Sequence, residues 1–269
     1  MSANIYNHEF RTRLRSVLIW SLSVAAMAIF FLSIFPAFAD QAALMNQLLA
    51  KFPPQLLEAF GMNRMDLSTV VGFYSFVFIF IQLCLAIQAG NYGFGLVSVE
   101  ENELTADFLL TKPVSRLQVI TSKLLAALTS LLLTDLVVWL ASFVGVLAWH
   151  GNRTFDTSLL VQLMLSIILF QLFFLAVGLV ISLLVRRVRS VTPYSLGLGF
   201  GAYVLSAFSG MFGGVGLDYV TPFKHLDPGY FVQHGAFDTS LLLLNVAITL
   251  VSLALSYWLY TRRDIHAVS

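Results

Sequence analysis

Residues 159–185 read LLVQLMLSIILFQLFFLAVGLVISLLV, an apolar run without a single Asp, Glu, Lys or Arg. A hydrocarbon core of roughly 30 Å is crossed by about 20 helical residues, so this run is long enough to span a bilayer. Five further runs of the same kind cover 16–38, 69–89, 124–148, 191–214 and 240–260. Among the six, only 124–148 contains a charge, Asp135. The runs are continuously apolar, without the alternating segments of about ten residues that mark a membrane barrel, and an open sheet edge has no partner in lipid. The expected fold is therefore all-α, a single polytopic domain over 1–269 with six transmembrane helices.

Composition supports this class. Of 269 residues, 58% are hydrophobic and 11% charged, where soluble domains carry about 25% charged residues. A soluble globule of this size cannot hide so much apolar surface, and a disordered chain has too few hydrophobics to match. The single cysteine, Cys84, excludes an internal disulfide framework and any multi-cysteine metal site. No nucleic-acid partner is indicated; the bilayer is the expected environment.

Eleven of the 15 basic residues, Arg11, Arg13, Arg15, Lys112, Arg116, Lys123, Arg186, Arg187, Arg189, Arg262 and Arg263, fall on one side of the six runs. Lys51, Arg64, Arg153 and Lys224 fall on the other. The positive-inside rule then predicts both termini in the cytoplasm of a cell membrane. The first outer loop, 39–68, is expected to hold two short helices on the membrane surface, broken by Pro53-Pro54. The last outer loop, 217–239, with Pro222, Pro228 and Gly229, reads as an irregular cap.

The segment from Ser98 to Arg116, SVEENELTADFLLTKPVSR, lies between the second and third runs. Its opening acids suit a helix N-terminus. Leu104 and Phe108, one turn apart, form a small apolar ridge. Lys112-Pro113 ends that helix, and Ser115 with Gln118 predicts a capping box for the next. The spacing predicts a short coupling helix over 101–110.

This segment resembles the signature of ABC transporter permease subunits of the ABC-2 type, in which an acidic pair, a Gly-Thr, a Leu-Leu and a Pro-Val-Ser-Arg followed by a lysine occur in order. The chain matches at Glu100-Glu101, Thr105, Leu109-Leu110, Pro113-Val114-Ser115-Arg116 and Lys123, and carries Leu104 where the family has glycine. The likeness extends to Phe10, Arg11, Arg13 and Arg15, to Thr221-Pro222-Phe223 and Asp227-Pro228, and to the closing residues from Tyr260 to Ile265. It implies an exporter half: two permease chains, identical or similar, joined to two ATPase subunits that carry ATP and Mg. It also implies that the short helix docks on the ATPase through Glu100, Glu101, Leu104, Thr105, Phe108, Leu109, Pro113 and Arg116.

The chain has no G-x-x-x-x-G-K-[ST], and the glycines of Gly90-Asn91-Tyr92-Gly93-Phe94-Gly95 lack the lysine and hydroxyl that phosphate and magnesium require. No cofactor is expected in this chain, and those glycines are expected to loosen or bend the second span. Gly197 and Gly201 in the fifth span have the spacing of close helix packing. Asp135, near the middle of its span, is a candidate functional carboxyl, with Gln82, Gln88, Gln162, Gln171 and Asn245 as neutral partners. The five histidines show no metal-ligand spacing and none lies in a span, which disfavours an intramembrane enzyme. A passive substrate-binding importer subunit is the other alternative.

Overall fold

The computed structural model describes residues 2–59, 61–103, 114–185, 188–212 and 216–262. Six long helices carry the chain: α1 (Ala3–Asp40), α4 (Val70–Glu103), α5 (Arg116–Trp149), α6 (Thr157–Leu184), α7 (Val191–Phe212) and α10 (Thr239–Arg262). Each is long and apolar enough to cross a membrane. Short helices α2 (Ala42–Leu49) and α3 (Pro54–Ala59) follow α1, with a 3-10 turn at Met62–Arg64. A second 3-10 turn (Leu217–Tyr219), α8 (Pro222–His225) and α9 (Pro228–His234) precede α10. Both described termini lie at one end of the bundle, here the terminal end; α2, α3, α8 and α9 lie at the far end.

The helices outrun the apolar stretches that nucleate them. At about 1.5 Å per residue, the 38 residues of α1 make a rod of about 57 Å. By the same rise, α4 and α5, with 34 residues each, reach about 51 Å. A core of about 30 Å accounts for only part of that length, so the three helices share a projecting shaft.

Two packing systems divide the bundle. Helix α1 lies along α5, while α4 packs against α6 and α7, and α6 against α10. Tyr74, Phe73, Phe78 and Phe94 of α4 and Phe170 and Phe174 of α6 are among the largest side chains buried from solvent. Glycine sets the closest crossings. A methyl group on Gly93 would stand 2.3 Å from the Leu175 carbonyl oxygen, and one on Gly178 would stand 3.2 Å from that of Gly90. The glycines expected to loosen the second span instead let α4 and α6 meet backbone to backbone, and α4 runs on through them as helix. Buried contact on both faces offsets the roughly 1 kcal/mol that each helical glycine costs.

Helix α7 departs from expectation in the opposite sense. Its packed glycines are Gly199, against Ile87, and Gly210, against the Glu58 carbonyl. Gly197 and Gly201 have no atom of the described chain within 4 Å of an added methyl group. Their spacing marks an open face.

The far-end cap is helical where an irregular loop was expected. Pro222 and Pro228 start helices because proline's fixed φ suits the first turn, where its missing N–H is not needed. Asp227 caps α9 by accepting from the Gly229 and Tyr230 amides, at 2.8 and 3.3 Å. Phe223 of α8 plugs the bundle edge-on to Phe170, 4.9 Å between ring centres. Thr221 donates to the Ala202 carbonyl at 2.7 Å, and His225 faces the Tyr219 carbonyl through Nε2 and Asn245 through Nδ1. Burial pushes the His225 imidazole below its ordinary value, against smaller raising effects of Tyr219 and Asp218.

The contrast between glycines is testable by thermal unfolding of the purified protein. Gly93→Ala, which drives a methyl group into backbone, is expected to cost about 1–3 kcal/mol. Gly197→Ala, on the open face, is expected to be neutral or stabilising by up to about 1 kcal/mol in the monomeric chain; equal effects would contradict the close crossing.

Candidate functional site

The terminal end gathers the residues to which the sequence points. Helix α4 is described as far as Glu103, and α5 begins at Arg116. Of the predicted docking set, Leu104, Thr105, Phe108, Leu109 and Pro113 lie outside the described residues, as does the coupling helix beyond Glu103. The start of α5 matches expectation. Ser115 Oγ accepts from the Gln118 amide at 3.2 Å, and Gln118 Oε1 accepts from the Ser115 amide at 3.2 Å, so two N–H groups that a helix start leaves over are satisfied. Arg116 donates to the Thr261 carbonyl at 3.2 Å, placing a cation where the last turn of α10 presents partial negative charge.

One expectation fails here. Glu100, Glu101 and Glu103 do not open a separate helix; their backbone continues α4 through its last described turn. Neither proline nor glycine follows Gly95 until Pro113, so nothing local breaks the helix where the apolar run stops.

Lys123 holds this end together. Its side chain is 3% exposed, and a buried ammonium requires compensation. Nζ donates to the Leu96 carbonyl of α4 at 2.8 Å and lies 3.5 Å from Glu9 Oε1 of α1. Glu9 Oε2 in turn pairs with Arg13 at 2.7 Å. Around this group, the Ser2 amide donates to Ser122 Oγ at 2.8 Å and the Tyr6 hydroxyl to Thr129 at 3.0 Å. Three helices are thus joined by one lysine, beside the segment that the signature marks. Glu9 escapes sequence inspection except for one signal, its place four residues before Arg13.

A polar column continues inward from the lysine. The Arg13 guanidinium lies 5.9 Å from the Tyr92 ring centre, and the Tyr92 hydroxyl donates to Ser16 at 3.3 Å. Gln88 Nε2 donates to both Tyr92 and Thr134, at 3.3 and 2.9 Å. Next to Thr134 stands Asp135, wholly buried. Gln171 of α6 is the side chain that reaches its carboxyl, but neither carboxyl oxygen nor Gln171 Nε2 attains hydrogen-bond geometry. The other suggested partners stand elsewhere: Gln82 bonds to Leu226, Gln162 to Ser158, and Asn245 faces His225. Asp135 of α5 thus faces α6, one residue beyond Thr134, where the chain of polar groups that begins at Lys123 stops. Among the described residues no group of three or more His, Cys, Asp or Glu is placed to hold a metal ion.

Removing the lysine should show what it does. Lys123→Met is expected to lower stability by about 2 kcal/mol, the scale of a charge-assisted hydrogen bond, measured by thermal unfolding. Glu9→Gln should cost less, because the ammonium that it leaves keeps its 2.8 Å bond to the Leu96 carbonyl. The reverse order would place the compensating partner elsewhere.

Comparison with curated protein sequences returns no match. A family model described as ABC-2 family transporter protein matches residues 3–265, which takes in all six long helices, the signature segment and the far-end cap. On that match over nearly its whole length, the chain belongs to the ABC-2 transporter family and is a membrane-spanning permease subunit of an ABC transporter, distinct from the subunit that hydrolyses ATP.

Proposed function

We propose that this permease serves an ATP-driven exporter in the cell membrane, with both termini in the cytoplasm. Two permease chains work with two ATPase subunits, and ATP and Mg act on those partners. The observation that carries this reading is the arrangement of the terminal end. The signature segment is held between the ends of α4 and α5, and those two helices are fastened to α1 by Lys123 within the shaft. A push on residues 101–110 reaches three helices at once. Glu100, Glu101, Leu104, Thr105, Phe108, Leu109, Pro113 and Arg116 are the residues proposed to meet the ATPase.

A second permease chain is proposed to dock on the open Gly197/Gly201 face of α7, where small residues allow close approach in lipid. Asp135 is proposed to sense the rearrangement, since a small shift of α5 against α6 would complete a hydrogen bond with Gln171. An apolar or amphipathic substrate, such as a peptide antibiotic, lipid or drug, suits the walls. Between α5 and α6 lies a cleft of about 340 Å³ lined by Leu136, Trp139, Leu140, Phe143, Val161, Met164 and Leu165. The one polar hydrogen among these side chains, on Trp139 Nε1, is given to the Met164 carbonyl at 3.0 Å.

Purification of the tagged chain in mild detergent, with mass spectrometry of its companions, tests the reading. An ATPase is expected with the wild type and is expected to be lost from a Leu104→Glu/Phe108→Glu double variant that remains folded. Recovery of the native protein without any ATPase, under conditions that keep a known ABC complex intact, would overturn it.

A further inference from the structure

The far end carries a second polar assembly, which the coupling scheme leaves unused. A pocket there lies between α3, the Met62–Arg64 turn, α4, α7 and the cap, with about 30 Å³ of space for a water-sized group. Arg64 stands 3.5 Å from Glu58 and 3.4 Å from Asp227, and Lys224 stands 3.9 Å from Asp227. Close ion pairs of this kind are about 2.7–2.9 Å, so all three are loose and each ion has room for another partner. The floor is Gln82, wholly buried. Its Nε2 donates to the Leu226 carbonyl at 3.0 Å, which fixes the amide's orientation, and its Oε1 has no partner. A buried amide oxygen left unsatisfied is unfavourable.

The mixture of groups selects among ligands. An inorganic anion would suit Arg64 and Lys224, but it would face two carboxylates and offer nothing to Gln82. A metal cation would meet two positive side chains. A neutral hydroxyl would satisfy Gln82 and leave the loose ions as they are. A small molecule with an ammonium at one end and an anion at the other satisfies every group. The ammonium fills the water-sized space, donating to Gln82 Oε1 and the carboxylates, while the anion stays at the open rim and accepts from Arg64 and Lys224.

We infer that this pocket binds a primary-ammonium zwitterion, either the phosphoethanolamine head of a lipid or a free amino acid. Binding requires neither the ATPase nor transport, so its failure and that of the exporter reading are separable; only the placement of the pocket outside the cell rests on that reading.

Titration calorimetry of the purified full chain tests the inference, with glycerophosphoethanolamine and glycine as zwitterions and glycerophosphate and ethanolamine as half-molecules. At least one zwitterion is expected to bind about tenfold or more tightly than either half. Stronger binding of glycerophosphoethanolamine assigns the lipid head, and stronger binding of glycine the free amino acid. Gln82→Leu should weaken binding by a similar factor. Because that variant also loses the Leu226 bond, a Glu58→Gln/Arg64→Gln pair at third-exposed rim positions provides a second test with little demand on folding. Half-molecules that bind as well as zwitterions, a rim variant that binds like the wild type, or no binding by any probe would overturn the inference.

Discussion

A lysine ammonium cannot be left without partners inside a bundle of apolar helices, and the terminal end is organised around meeting that requirement. Lys123 takes a backbone carbonyl from α4 and a carboxylate from α1. Helices far apart in sequence therefore meet at one depth, and α1 continues as helix through its charged first turns instead of turning along the membrane surface. Exposed ion pairs contribute little to stability. This one differs because the ammonium is buried, so loss of a partner leaves a desolvated charge and not a hydrated one.

From that junction inward, the polar groups occur as a series and not as scattered substitutions. Tyr92, Gln88 and Thr134 relay hydrogen bonds between α1, α4 and α5 as far as the level of Asp135. Across α4, the opposite packing principle applies. Gly93 brings α4 and α6 so close that a side chain has no place there, and at Gly178 a methyl group would be tight. Polar ties on one face and backbone contact on the other leave α4 little freedom to move alone. Force applied beyond Glu103 is best transmitted by the shaft as a unit, while α7, with its open glycine face, and the loosely paired far-end cap retain room to rearrange.

The six spans were legible because continuous apolar runs of membrane length permit few other structures, and the capping box because Ser115 and Gln118 act within one turn. What was not legible depended on tertiary contact. The glycines of α4 have the same local chemistry in a bend and in a close crossing, and only Leu175 on a distant helix decides between them. Pro222 and Pro228 signal a break, but whether a helix starts there depends on what Phe223 and Asp227 find to bind. The acids after Ser98 suggested a new helix start, because charge marks the end of an apolar run but not the end of a helix. Gln171 could not be chosen among five candidate partners of Asp135 without knowing the depth of each, and Glu9 and Gln82 owe their roles to Lys123 and Leu226, each more than 80 positions away.

The central claim is that α1, α4 and α5 move as one body at the terminal end. Its most direct test is the distance between spin labels at His8→Cys and Leu117→Cys, both exposed positions, in a Cys84→Ala background within the ATPase complex. The account predicts a distance that stays within about 2 Å between nucleotide-free and ATP-bound states, the scale of small helix shifts. A change of about 5 Å, one helical turn of sliding between α1 and α5, would contradict it.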